Sequence, residues 1–171
     1  LKPYVQNPEL TSPQFDYADF AAQSIDDATV AGDLVGIPLY SELQIFMYRK
    51  DLFHQANLKF PSTLAELEQA AKGLTDKEKG LHGICIRGKG AATTTIFSGF
   101  LHTMGGSWAD KDRNPALDTS AALKAFEFYG RLARDYGPPG VVNYHWFQCQ
   151  SLFANGKAAM WTDSNIFAAG L

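Results

Sequence analysis

The apolar residues of this chain change period repeatedly, and that alternation is the strongest constraint on its fold. Leu64, Leu67, Ala71 and Leu74 recur at steps of three and four, the stripe of an amphipathic helix. His82-Gly83-Ile84-Cys85-Ile86-Arg87 is then a short β-branched run that reads as a strand. Gly88-Lys89-Gly90 turns the chain into a threonine-started helix with Phe97, Phe100, Leu101 and Met104 on one face, closed by Gly105-Gly106. Strand, turn and helix in that order are the grammar of an α/β fold, here a small mixed sheet flanked by helices.

Other boundaries carry their own chemistry. Pro61 and the capping box Thr63-Leu64-Ala65-Glu66 open the helix at 64. Asp118 or Thr119 caps the longest helix, 119–136, whose expected core stripe is Ala122, Phe126, Tyr129 and Ala133, and Gly137-Pro138-Pro139-Gly140 stops it. Phe147 to Asn155 reads as a further helix, Ala158 to Thr162 as a strand, and Ser164 as a last helical start. Near the N-terminus, Pro3, Pro8 and Pro13 predict an irregular approach, and a short helix follows Asp16 and ends at Gly32. Leu34–Tyr40 and Leu43–Tyr48 predict two strands, or one bent strand.

Of the 171 residues 46% are hydrophobic, which excludes a disordered chain. A net charge of −3 without a basic run leaves nothing to attract nucleic acid. No apolar stretch reaches the roughly 18–20 residues that a transmembrane helix needs. Cys85 and Cys149 have no zinc-ligand spacing and are expected to be unbonded, one lying in a strand and the other in a late helix. The chain starts at Leu1, has no charged-then-apolar leader and stops in mid-pattern at Phe167–Leu171, so it is expected to be a piece of a longer protein.

Catalysis has no positive signal: none of His54, His82, His102 and His145 falls in a metal-ligand spacing, and there is no GxSxG elbow. The expectation is no catalytic residue, no metal and no cofactor. Gly88-Lys89-Gly90 lies between strand and helix, where a phosphate-binding loop belongs, but the third glycine of the dinucleotide fingerprint is missing. A nucleotide- or sugar-phosphate-binding enzyme domain built on that turn is the alternative function. What stands out more is a set of aromatic rings interleaved with polar groups at expected loops and strand ends: Tyr40 and Glu42, Arg87, Trp108, Trp146 with Gln148, and Trp161 with Asp163. Each ring alone fits ordinary packing. Together they offer apolar faces for the C–H side of a sugar, and carboxylate, guanidinium and amide groups for its hydroxyls. These eight residues are the candidate ligand-binding set, expected to converge beyond the strand ends with their rings partly open to solvent.

Several stretches, in order, resemble the sugar-type extracellular solute-binding proteins of bacterial ABC importers. They are Gly36-Ile37-Pro38-Leu39-Tyr40-Ser41-Glu42 with Met47–Phe53, Phe60–Leu67, Gly83–Gly88, Gly105-Gly106-Ser107-Trp108, Gly137–Gly140 and Phe153–Trp161. Arg87-Gly88, Gly137-Pro138-Pro139-Gly140 and Met160-Trp161-Thr162-Asp163 resemble the branch that takes up sugar alcohols and small saccharides. Leu64 departs from the tryptophan common after the capping threonine, and Gln148 stands where an acid is frequent.

The resemblance implies a periplasmic-binding-protein-like lobe: residues 1–34 a remnant of the first lobe, 35–163 the second lobe with hinge strands at both ends, and 164–171 the start of a return to the first. It further implies a non-enzymatic protein outside the cytoplasm, in the periplasm or lipid-anchored. Such a protein captures a sugar or sugar alcohol by closure of its lobes and delivers it to an ABC membrane permease.

Overall fold

Two neighbours of different sense flank the strand Met160–Ser164, and this mixed pairing organises the unit around it. In the computed structural model, which describes residues 1–171, the chain divides into two units, Leu1–Glu42 and Leu43–Leu171.

The first unit holds α1 (Lys2–Val5), a single turn where proline spacing predicted an irregular path, and α2 (Ala22–Asp27). Asp16 accepts from the Ala18 amide at 3.0 Å and opens a 3₁₀ turn at Tyr17–Asp19. A two-residue hairpin joins β1 (Thr29–Val30) to β2 (Asp33–Leu34). Its tip, Ala31-Gly32, has positive φ at both residues, the geometry that matches strand twist. The strand expected over Leu34–Tyr40 does not form beyond Leu34: Val35–Glu42 has no regular structure and no partner strand. Pro38 has no N–H to give a ladder, so the apolar run stays open.

In the second unit β3 (Gln44–Tyr48) runs antiparallel to β4 (Met160–Ser164), in register from Gln44 opposite Ser164 to Tyr48 opposite Met160. The segment His82–Arg87 lies along the other edge of β4 and runs parallel to it, through bridges at His82–Ala158 and Cys85–Trp161. The sheet is therefore small and mixed, and the fold is α/β. Side chains alternate across it. Ile84, Ile86 and Met160 enter a core with Leu67, Ala71, Leu101 and Leu132, whereas Cys85 and Trp161 enter a second cluster with Cys149 and Phe153. The first core is roofed by α4 (Leu64–Leu74), α5 (Ala92–Thr103) and α6 (Ser120–Arg131); the second by α7 (Trp146–Ala154). A short helix α3 (Lys50–Gln55) follows β3 and buries Phe53.

The capping box is present in full: the Glu66 amide donates to Thr63 Oγ1 at 3.2 Å, and the Thr63 amide to Glu66 Oε2 at 3.1 Å. Gly83 passes so close to α4 that a Cβ would lie 1.9 Å from the Ala71 carbonyl oxygen, which explains a glycine inside a strand-like segment. The expected threonine start of α5 is not used; Ala91 precedes it without a side-chain cap.

Two further expectations are corrected. The buried face of α6 and its π-helical continuation Leu132–Tyr136 is Ala122, Ala125, Phe128, Tyr129 and Leu132, and Phe126 is 45% exposed. The helix is rotated by about one position from the expected stripe, and Phe126 instead stacks on Phe97 at 4.4 Å. Cys85 and Cys149 form a disulfide, with Cα atoms 5.4 Å apart across 64 residues of sequence. Packing of α7 directly on the Cys85 face of the sheet closes a separation that looked prohibitive along the chain.

Thr63→Ala is expected to destabilise the protein by about 0.5–2 kcal/mol, because the Glu66 amide loses its acceptor at an exposed helix start. A urea titration at unchanged m-value checks it.

Candidate functional site

Asp163 is the fourth residue of a strand in which every position is buried, and strand geometry puts Trp161 on its face. The carboxylate is fully buried and saturated with donors. Arg87 Nε donates to Oδ2 at 2.9 Å and Arg87 Nη2 to Oδ1, a two-pronged ion pair. Trp161 Nε1 donates to Oδ2 at 3.2 Å, and the Ser164 amide to Oδ1 at 2.8 Å. Arg87 itself, 7% exposed, ends the segment that runs parallel to β4, so both charges are delivered by neighbouring extended segments rather than by flexible loops. From α6 the Tyr129 hydroxyl donates to the Arg87 carbonyl oxygen at 2.6 Å. Burial, reinforced by the negative charge of Asp163, pushes the Tyr129 phenol well above its ordinary range.

Aromatic rings line this pair. Trp146, the first residue of α7, stacks on Phe167 at 4.5 Å with planes 8° apart, and Trp161 lies 6.2 Å from Phe167 on a similar plane. The Arg87 guanidinium carbon sits 5.9 Å from the Phe167 ring centre. Planar fork, carboxylate and parallel ring faces are the groups that hold paired hydroxyls and the C–H face of a carbohydrate.

Of the eight sequence candidates, Arg87, Trp146, Trp161 and Asp163 share this cluster. Trp161 has no exposed surface, against the expectation of an open ring. Trp108 lies elsewhere: it packs edge-on to Phe97 in the first core, and its Nε1 donates to Ser98 Oγ at 2.8 Å. Gln148 accepts from the His145 amide at 2.9 Å and, with His145 Nδ1 taking the Trp146 amide, caps α7. Tyr40 and Glu42 are exposed residues at the end of the first unit. Phe167 was missed: it lies four residues beyond Asp163 in a 3₁₀ turn (Asn165–Gly170), and the Met-Trp-x-Asp pattern drew attention only to the strand. Tyr129 was read as core alone.

The Gly88-Lys89-Gly90 turn does not offer a phosphate cradle. The amides of Gly88 and Lys89 both donate to the Tyr144 carbonyl oxygen at 3.0 Å, so they are spent within the protein. Gly88 is explained by packing, since a Cβ there would lie 2.3 Å from the Val141 carbonyl oxygen. Two concavities of this unit, about 430 and 580 Å³, also lie apart from the ion pair. One is lined by Gln44, Phe46, Phe60 and Phe100, the other by His82, Tyr129, Pro138 and Val142, and neither by Arg87 or Asp163. Both concavities are mainly apolar.

The chain has counterparts among known proteins. The profile of the family described as bacterial extracellular solute-binding protein matches residues 1–169, and the chain belongs to that family. It is 34% identical over 158 residues to a mannitol-binding protein of Pseudomonas aeruginosa, covering 87% of this chain and 36% of that protein. A solute-binding protein of an ABC transporter from Agrobacterium vitis, solved with bound D-mannitol, superposes with a TM-score of 0.85 at 34% identity, over 95% of this chain and 40% of that one. Another from Agrobacterium radiobacter, in complex with ribitol, gives 0.90 at 30% identity, over 99% of this chain and 42% of that one. The chain thus spans well under half the length of these relatives. No helix is long and apolar enough to cross a membrane.

Asp163→Asn leaves Arg87 buried without its counter-charge and is expected to destabilise the protein by about 3–5 kcal/mol, measured by chemical unfolding. Tyr129 binds its proton more tightly folded than unfolded, so its contribution to stability is complete below about pH 10 and falls as pH rises further, by at most about 1.4 kcal/mol per pH unit. Tyr129→Phe is expected to flatten the alkaline limb of a stability-versus-pH curve.

Proposed function

We propose that this chain supplies one lobe and the lobe crossings of a two-lobed receptor that captures a sugar alcohol or small sugar outside the cytoplasm and hands it to an ABC import permease. Residues 35–163 form the second lobe in this proposal, with β3 and β4 as crossings, and 1–34 and 164–171 belong with the first. The observation that carries it is Arg87, held by the buried Asp163 through Nε and Nη2 while Nη1 makes no hydrogen bond within the protein, beside the partly exposed ring of Trp146. Because the two charges neutralise each other, the site favours a neutral ligand with many hydroxyls over a phosphate. Relatives at 30–34% identity with bound D-mannitol and ribitol support a polyol.

Tyr40 and Glu42, at the approach to β3, are proposed to add contacts from the crossing, while Trp108 and Gln148 serve packing and capping. Capture needs no covalent step and no cofactor; closure of two lobes follows when the ligand binds the closed state better than the open one. The Cys85–Cys149 disulfide supports an oxidising compartment such as the periplasm or outer cell surface.

Thermal shift and calorimetry on the full-length protein test the proposal. D-mannitol or ribitol is expected to raise the melting temperature and to bind saturably, inorganic phosphate and ATP to do neither. Trp146→Ala is expected to weaken polyol binding by about 1–3 kcal/mol. Saturable binding of phosphate at the Gly88-Lys89-Gly90 turn, or polyol affinity indifferent to Trp146→Ala, would refute it.

A further inference from the structure

The disulfide joins the two backbone segments that deliver the candidate ligand groups. Cys85 lies two residues before Arg87 on an extended segment, hence on the same face. Its amide donates to the Met160 carbonyl oxygen at 2.9 Å, and it bridges directly to Trp161. Cys149 lies three residues after Trp146, on the same side of α7. Both cysteines are fully buried, in a cluster whose other members are Ala158, Phe153 and Trp161.

The directional ties between α7 and this segment lie at the two ends of the helix and not along it: beyond its C-terminus the His82 amide donates to the Lys157 carbonyl oxygen at 2.9 Å. The Gly88 and Lys89 amides reach the Tyr144 carbonyl oxygen ahead of the helix, whereas Phe153 meets Trp161 only through a tilted ring contact at 6.1 Å. Apolar contacts of that kind let a nine-residue helix slide or roll by fractions of an ångström. A covalent link one turn from Trp146 and one strand repeat from Arg87 removes that freedom.

We propose that Cys85–Cys149 is a positioning cross-link: it fixes the spacing between the Arg87 guanidinium and the Trp146 indole before ligand arrives. This rests on the polyol-capture proposal for what the two groups bind, but the positioning itself is a property of the ligand-free protein. With both cysteines buried, a reductant reaches the bond only when the cluster opens, so the link is set during maturation and does not respond to ligand or ambient thiols in the folded state.

The test compares full-length wild type with Cys85→Ala/Cys149→Ala, at a temperature where circular dichroism shows both fully folded. A destabilised control, Leu74→Ala, lies in the other core. The first readout is amide hydrogen exchange without ligand. Gly88 and Lys89 are expected to exchange about tenfold faster in the double variant while the amides of α4 keep their wild-type rates. The second is D-mannitol affinity, expected to weaken about tenfold in the double variant and to stay within about twofold in Leu74→Ala, because preorganisation is lost only in the former. Should the alanine pair fail to fold, Cys85→Val/Cys149→Ala restores volume without the link and takes its place. Unchanged exchange at Gly88 and Lys89, or equal losses of affinity in Leu74→Ala, overturns the positioning role. Absence of any polyol binding by wild type overturns the capture proposal instead, and the exchange comparison then decides the cross-link alone.

Discussion

Two opposite charges, Arg87 and Asp163, are buried at the end of a central strand, and the local architecture is arranged to make that tolerable. Taking an ion pair out of water costs several kcal/mol per ion, and attraction offsets this only with good geometry and no stray hydrogen-bonding capacity. Here the guanidinium meets the carboxylate with two nitrogens, while an indole N–H and a backbone amide supply further donors to the carboxylate. That demands β4 beside the His82–Arg87 segment, α6 behind to place the Tyr129 hydroxyl on the Arg87 carbonyl, and α7 in front with its tryptophan. A hydrophobic pair would fill the same space more cheaply.

Features written in local chemistry were legible from the sequence. The Thr63–Glu66 capping box, the glycine-proline stop after Tyr136 and the helix ending at Gly156 depend on residues within one turn, and each lies where the residues place it. Features decided by partners far along the chain were less legible. Leu34–Tyr40 has strand composition, but a strand needs a neighbour, and Pro38 offers no donor to one. The phase of α6 was ambiguous because Ala125, Phe126, Phe128 and Tyr129 give two overlapping apolar stripes; packing of Phe97 and Phe100 from α5 selects between them. The disulfide was invisible for the same reason, since it depends on α7 lying across the face that presents Cys85.

The site divides along the same line. Arg87, Trp161 and Asp163 were identified as polar or aromatic residues ending strand-like runs, and the sheet register joins them. Trp108 shared the same composition signal, but its Nε1 is satisfied by Ser98 on α5 and its ring serves the core; residue type alone does not separate the two cases. The glycine turn that resembles a phosphate loop is explained by the close approach of Val141 and by amides directed at Tyr144.

The central claim is that Arg87 and Trp146, backed by the buried Asp163 and Trp161, form a wall of a polyol site. A crystal structure of the full-length protein with D-mannitol tests it most directly. The account predicts hydroxyl groups of the ligand within hydrogen-bond distance of Arg87 and its carbon chain against the Trp146 indole. A ligand bound with neither residue in contact would contradict it.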